Sequence, residues 1–218
     1  MNEFKQPFHS AIFTLSSHHP YLVPEKYRNR FPKTKLENSE SIGYADYALR
    51  RFFESAKKTN WYNNTLFVLT ADHTSLSEDR FFFNTVGYYT IPIVFFKPDN
   101  SMTGEHSKAF SQIDILPSVM NLSGYNKPFF AFGESYLSGS PGNAYSYVDA
   151  SHYSYGDSMA YNFVNAKLAN VYNYRRDSTL HINLINRYPA LDSTQSRRFS
   201  AFLQTYNSTL LHNSGRIK

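Results

Sequence analysis

Residues 65–75 read TLFVLTADHTS. The run Thr65–Thr70 is apolar and β-prone, which predicts a buried strand. It stops on a carboxylate and an imidazole side by side, Asp72 and His73. In open α/β sheets, functional groups collect at the carboxyl ends of strands, so the position of this pair is as informative as its chemistry.

The neighbouring segments set the fold class. Upstream, residues 37–58 carry Ile42, Ala45, Leu49, Phe52, Phe53 and Ala56 at helical spacing, with Arg50, Arg51, Glu54 and Lys57 on the opposite side. This predicts an amphipathic helix, ended by Asn60–Asn64. Downstream, IPIVFF at 91–96 predicts another strand, closed by KPDN. DILPSVMNL at 114–122 predicts a short helix, with Asp114 as a cap, Pro117 early and Gly124 beyond its end. Near the start, AIFTL at 11–15 predicts a further strand, running into the loop SSHHPYLVPEKY. A helix between apolar strands favours an α/β sheet, its strands parallel and both faces covered by helices.

The tail differs. Residues 145–148, 161–164 and 168–174 predict strands, the last two around the turn Asn165-Ala166-Lys167. Phe199, Phe202, Leu203, Tyr206 and Leu210 mark one face of a terminal helix over 196–211. The expected division is an α/β region over 1–140 and a small antiparallel layer with its helix over 141–218.

Composition excludes several classes. The chain has 218 residues, 41% hydrophobic and 18% charged, the balance of a folded protein. The formal charge is +5, but Lys26, Arg28, Arg30, Lys33 and Lys35 and the later Arg175, Arg176, Arg197 and Arg198 form no nucleic-acid-binding arm. There is no cysteine, hence no disulfide and no thiolate metal site. No apolar run reaches the ~18–20 residues of a membrane helix, and the opening residues lack a signal-peptide pattern. Asn63, Asn121 and Asn207 head glycosylation sequons, a pattern short enough to arise by chance.

Two clusters carry chemistry. Asp72 and His73 are both good ligands for Zn²⁺ or Mn²⁺; alone, they also fit a capped turn beside an exposed histidine. Ser16-Ser17-His18-His19-Pro20 follows the first apolar run, and a histidine there suits metal ligation, hydrogen bonding to an anionic oxygen, or proton transfer. Strands lying side by side would bring His18, Asp72 and His73 to one sheet edge. His9, His106, His152, His181 and His212 have no partner pattern, and no G-x-S-x-G elbow supports a serine hydrolase.

Three segments in order, FTLSSHHPYLVP, YADYALRRFFESAKKTNWYNNTLFVLTADHT and IPIVFFKPD…FSQIDILPSVMNLSGY, resemble the sulfatase-like branch of the alkaline phosphatase superfamily. Within it they resemble the lipoteichoic acid synthase type of phosphoglycerol transferase. The resemblance spans residues 7–137. It implies that Asp72 and His73 ligate a catalytic divalent metal (Mn, Zn, Mg or Ca), and that His18 lies near the substrate's charged group. His19 occupies a variable position and ranks lower as a substrate contact. Tyr44 and Asp46, and Asp114 and Pro117, match scaffold elements. Ala71 stands where glycine or serine is common.

The family's nucleophile and an acidic ligand lie upstream of the matching segments, and the absence of cysteine leaves no precursor for a cysteine-derived formylglycine. The expectation is therefore the C-terminal part of a longer extracytoplasmic enzyme, with no catalytic nucleophile in this chain and a metal held weakly by it alone. Its substrate would be an anionic phosphate or sulfate ester, possibly a lipid-linked one, and phosphoglycerol or phosphoethanolamine transfer is favoured. A sulfuric ester hydrolase is the alternative enzyme, and a non-catalytic binding protein retaining the fold is the alternative of another class. A surface left by the missing half would encourage self-association.

Overall fold

The computed structural model describes residues 1–140, 142–212 and 215. They form two compact units: Met1–Phe83 with Thr90–Thr103, and Asn84–Tyr89 with Gly104–Lys218. The expected division falls at Pro141, outside the described residues. The α/β class holds, with antiparallel sheets and helices.

In the first unit, helix α1 spans Ser39–Ala56. Its apolar stripe is covered only toward the C-terminus, where Phe52, Phe53 and Ala56 pack with Trp61, Tyr62, Phe67 and Phe96. The rings meet edge-on or tilted, with Phe53 centred 5.1 Å from Phe67 and 5.9 Å from Phe96. Such offset geometries suit the aromatic quadrupoles. The Trp61 indole N–H donates to Asn2 at 2.7 Å, so its polar edge is satisfied as the ring is buried. Toward the other end of α1, Ile42 and Leu49 remain exposed.

Strand β1, Phe67–Thr70, pairs with β2, Ile93–Phe96, setting Phe67 opposite Phe96 and Thr70 opposite Ile93. The pairing is antiparallel, which corrects the parallel expectation. A parallel return needs a crossover, usually an α-helix laid across the sheet. The connection here holds a 3₁₀ turn over Arg80–Phe83 and the one-turn helix α2 over Thr85–Tyr88, and α2 belongs to the second unit. The expected strand over 11–15 is also corrected. Those residues adopt no strand, and Ile12, Phe13 and Leu15 lie exposed. β-propensity does not form a strand without a neighbour to accept its hydrogen bonds.

In the second unit a capping box opens the 3₁₀ turn Gln112–Asp114, which runs directly into helix α3, Ile115–Leu122. Ser111 is the cap and Asp114 reciprocates from inside the turn, accepting the Ser111 amide at 2.8 Å. The other Asp114 oxygen accepts the Glu134 amide at 2.8 Å. Gly133 is required there, because a Cβ would lie 2.3 Å from the Ile113 carbonyl oxygen and 2.5 Å from Asp114 Oδ1. Burial pushes the Asp114 carboxyl above its ordinary range, against the two amides that favour its charged form.

The tail is a four-stranded meander: β3, Ala144–Val148; β4, Ser151–Tyr155; β5, Met159–Val164; and β6, Lys167–Asn173. The sequence reading missed β4, because SHYSY offers little aliphatic alternation. Hairpin turns occupy Asp149-Ala150 and Asn165-Ala166, all four residues at positive φ, the backbone of a two-residue hairpin turn. Helix α4, Pro189–His212, starts earlier than expected. Its Phe199 stacks on Phe163 at 4.1 Å and closes a core with Tyr161 and Val171. His152, without a motif, belongs to this packing, its ring 5.3 Å from Phe199. No helix among the described residues is long and apolar enough to cross a membrane.

Candidate metal centre

The predicted pair lies just past β1. The Asp72 Oδ1 accepts the backbone N–H of His73 at 2.9 Å, which turns the carboxylate toward the following residue. His73 Nδ1 lies 2.7 Å from the carbonyl oxygen of Thr74. A carbonyl oxygen can only accept, so Nδ1 carries the proton in this contact and the neutral ring has its lone pair on Nε2. That nitrogen stands 3.7 Å from Asp72 Oδ2, and both side chains are well exposed.

This spacing suits two ligands of one ion. Bonds of about 2.1 Å at a tetrahedral angle put ligand atoms roughly 3.4 Å apart. One carboxylate oxygen and one imidazole nitrogen are a donor set for Zn²⁺ or Mn²⁺. Among the described residues no group of three His, Asp or Glu side chains gathers to hold a metal. The pair therefore fits part of a metal site.

The loop bearing the pair is tied to α1 by a residue the sequence reading passed over. Asn38, fully buried at the helix start, donates from Nδ2 to Ser75 Oγ at 3.1 Å and to the Leu76 carbonyl at 3.5 Å. Ser41 Oγ donates to the Asn38 carbonyl at 2.8 Å. An asparagine before a helix is ordinarily read as an N-cap, but its side chain here makes no capping bond. The available signal was its place at the helix start, which suggested the wrong partner.

The histidine loop is held by local contacts. His18 closes a turn, its amide donating to Leu15 O at 3.0 Å, and its Nδ1 lies 2.7 Å from the His19 carbonyl. His19 sits edge-on to Tyr21 at 5.7 Å. Both histidines are exposed. Among the described residues, neither joins Asp72 and His73 in a group of three side chains that could hold a metal.

The sulfatase family model matches residues 1–125, more than half of the chain. The chain belongs to the sulfatase family. Lipoteichoic acid synthase 1 of Bacillus subtilis is 23% identical over 156 residues, covering 63% of this chain and 24% of that protein. Lipoteichoic acid synthase of Staphylococcus aureus (strain USA300) is 25% identical over 153 residues, covering 62% and 24%. This sulfatase-family chain thus spans about a quarter of the length of the curated relatives it matches.

A solved protein of the alkaline phosphatase superfamily from Vibrio parahaemolyticus superposes with a TM-score of 0.78 at 20% identity. It covers 100% of this chain and 52% of the solved one. Phosphonate monoester hydrolase of Agrobacterium radiobacter superposes with a TM-score of 0.56 at 16% identity, covering 78% and 41%. The fold is therefore that of part of an alkaline-phosphatase-like sulfatase domain.

Proposed function

We propose that this chain supplies part of the divalent-metal site of an extracytoplasmic enzyme acting on phosphate esters, with phosphoglycerol or phosphoethanolamine transfer as its reaction. The observation that carries the reading is the side-by-side pair Asp72 and His73, with Nε2 and Oδ2 3.7 Å apart beyond the end of β1. The similarity to lipoteichoic acid synthases favours phosphoryl over sulfuryl transfer.

Each side chain has a definable part. Asp72 supplies negative charge and an oxygen donor, and His73 supplies the Nε2 lone pair while the Thr74 carbonyl holds its ring. Asn38 keeps the loop in place through Ser75. The imidazole favours Mn²⁺ or Zn²⁺ over the oxygen-seeking Mg²⁺ or Ca²⁺. When bound, such an ion offsets charge on the transferred group and lowers the pKa of a hydroxyl nucleophile. His18, with Nδ1 directed at its neighbour's carbonyl, donates from Nε2 to a substrate oxygen only as the imidazolium. His19, turned against Tyr21, has the lesser part.

Two protein ligands hold an ion less firmly than the four of a closed site. Calorimetric titration of the purified chain with Mn²⁺ and Zn²⁺ is expected to give weak binding, lost in Asp72→Asn and His73→Ala and retained in His18→Ala. No turnover of bis(p-nitrophenyl) phosphate is expected from the chain alone. Binding undiminished in the two ligand variants, or Mn²⁺-dependent hydrolysis by the isolated chain, overturns the proposal. The family model favours a second reading, a sulfuric ester hydrolase. Preference for p-nitrophenyl sulfate over the phosphodiester, once a complete domain is assembled, would select it.

A further inference from the structure

Basic residues that are dispersed along the sequence meet a set of tyrosines in the first unit. Residues 26–31, KYRNRF, pack on the first half of α1. Tyr27 is centred 5.4 Å from Tyr44 and 5.5 Å from Tyr47, and Phe31 is centred 5.8 Å from Tyr47. Gly43 permits this approach, since a Cβ there would lie 2.8 Å from the Phe31 Cβ. Glu40 fastens the segment by accepting the Asn29 amide and pairing with Lys33 at 3.3 Å. Three cations meet these rings. Lys26 Nζ lies 4.9 Å and the Arg30 guanidinium 5.6 Å from the centre of the Tyr27 ring. Neither has an acidic partner among the described residues. Arg51 donates to the Tyr47 hydroxyl at 3.1 Å and stands 3.7 Å from Glu54. Tyr27, Tyr44, Tyr47 and Arg51 line a cleft of about 230 Å³.

We infer that this cleft is an anion-binding site that takes a phosphate monoester group, carried by a soluble molecule or by a lipid headgroup. Charge selects the ligand. The negative ring faces hold Lys26 and Arg30 in place without neutralising them as a carboxylate would. Arg51, fixed by the Tyr47 hydroxyl, presents its remaining N–H groups at little cost in ordering. Three cations favour a dianion over a singly charged diester. The Tyr27 and Tyr44 hydroxyls have no hydrogen-bond partner among the described residues and add neutral donors. A flat ligand stacked between the rings does not fit, because the rings pack on one another and carry Lys26 and Arg30. The volume falls below the roughly 300–1,000 Å³ of drug-sized pockets, which suits a phosphate on a small polar body. The site needs none of His18, Asp72 and His73.

Calorimetric titration with inorganic phosphate tests it, on the metal-free chain at low salt and about pH 8, where imidazoles are neutral and phosphate is a dianion. Saturable binding is expected, weakened about tenfold or more by Lys26→Gln together with Arg30→Gln. Tyr27→Phe keeps the ring and should weaken it about threefold. Lys57→Gln together with Lys58→Gln removes as much charge just past the end of α1 and should leave affinity within about twofold. All four substituted cations are exposed, so unfolding does not account for a loss. Sedimentation with phosphatidic acid vesicles, lost in the Lys26 and Arg30 variant and reversed by free phosphate, assigns the group to a lipid. Phosphate binding without sedimentation assigns it to a soluble ester. Absence of saturable phosphate binding, or equal weakening in the two double variants, overturns the inference. So does a loss in Asp72→Asn, which would put the anion at the metal pair. Mn²⁺ binding that depends on Asp72 is read separately, so either site can fail without the other.

Discussion

Phe163 and Val171 in the meander have no exposed surface, whereas no residue of β1 or β2 is buried. Both sheets are antiparallel and aromatic-rich, so composition does not separate them. The meander has four strands and a long helix laid against it, with Phe199 seated on Phe163. The β1–β2 pair has two strands, with aromatic cover from Phe53 of α1 against Phe67 and Phe96. A two-stranded sheet does not close a core by itself. The tail is thus a self-sufficient packing unit, while the unit carrying Asp72 and His73 displays material made for burial.

The largest expected effect lies in the tail. Phe199→Ala removes the ring that closes that core and should cost about 3–5 kcal/mol. Phe67→Ala, in the half-buried sheet, should cost about 1–2 kcal/mol. Urea unfolding of both variants measures the difference. Equal losses would break the contrast between a closed and an open sheet.

A smaller effect sharpens it. Ala150 and Ala166 hold φ of 58° and 59° in the meander's turns, where an L side chain is strained and glycine is not. Ala150→Gly and Ala166→Gly should each stabilise by about 0.5–1 kcal/mol, read as a higher denaturation midpoint. A loss of stability in both would show that the turns do not limit the meander.

The smallest expected effect concerns two aspartates, Asp72 exposed beside β1 and Asp114 buried at α3. Burial raises the folded-state pKa of Asp114 above 3.8, so the folded chain keeps this proton over a range where the unfolded chain has released it. Its contribution to stability is full below 3.8 and declines as pH rises through the raised folded value. Asp114→Asn should abolish that slope, at the expense of one of the two amide contacts. Denaturant titrations at stepped pH should show wild type losing stability relative to the variant as pH rises. The opposite sign would mean that the Ser111 and Glu134 amides outweigh burial.

Local signals were legible where local chemistry decides the outcome. The 3.6-residue periodicity located α1, the strand at 67–70 stood out by composition, and the tail's last hairpin was marked by its turn. β4 escaped because SHYSY is polar enough to pass for a connection, and its burial comes from neighbours β3 and β5. Residues 11–15 failed in the opposite sense: they carry the propensity of a strand and lack the partner. Asn38 was visible as a helix-start residue, yet its bonds to Ser75 and Leu76 depend on a loop more than thirty positions away.

By itself the sequence determined the elements whose stabilising contacts lie within a few residues, together with the Asp-His pair that ends TLFVLT and the family resemblance that gives it meaning. Tertiary structure alone decided strand direction, the bonds that tie Asn38 to Ser75 and Leu76, and which apolar residues are covered. Hydrogen bonds between strands and burial of side chains require a second element in place. No stretch of chain specifies by its own composition whether that element is present.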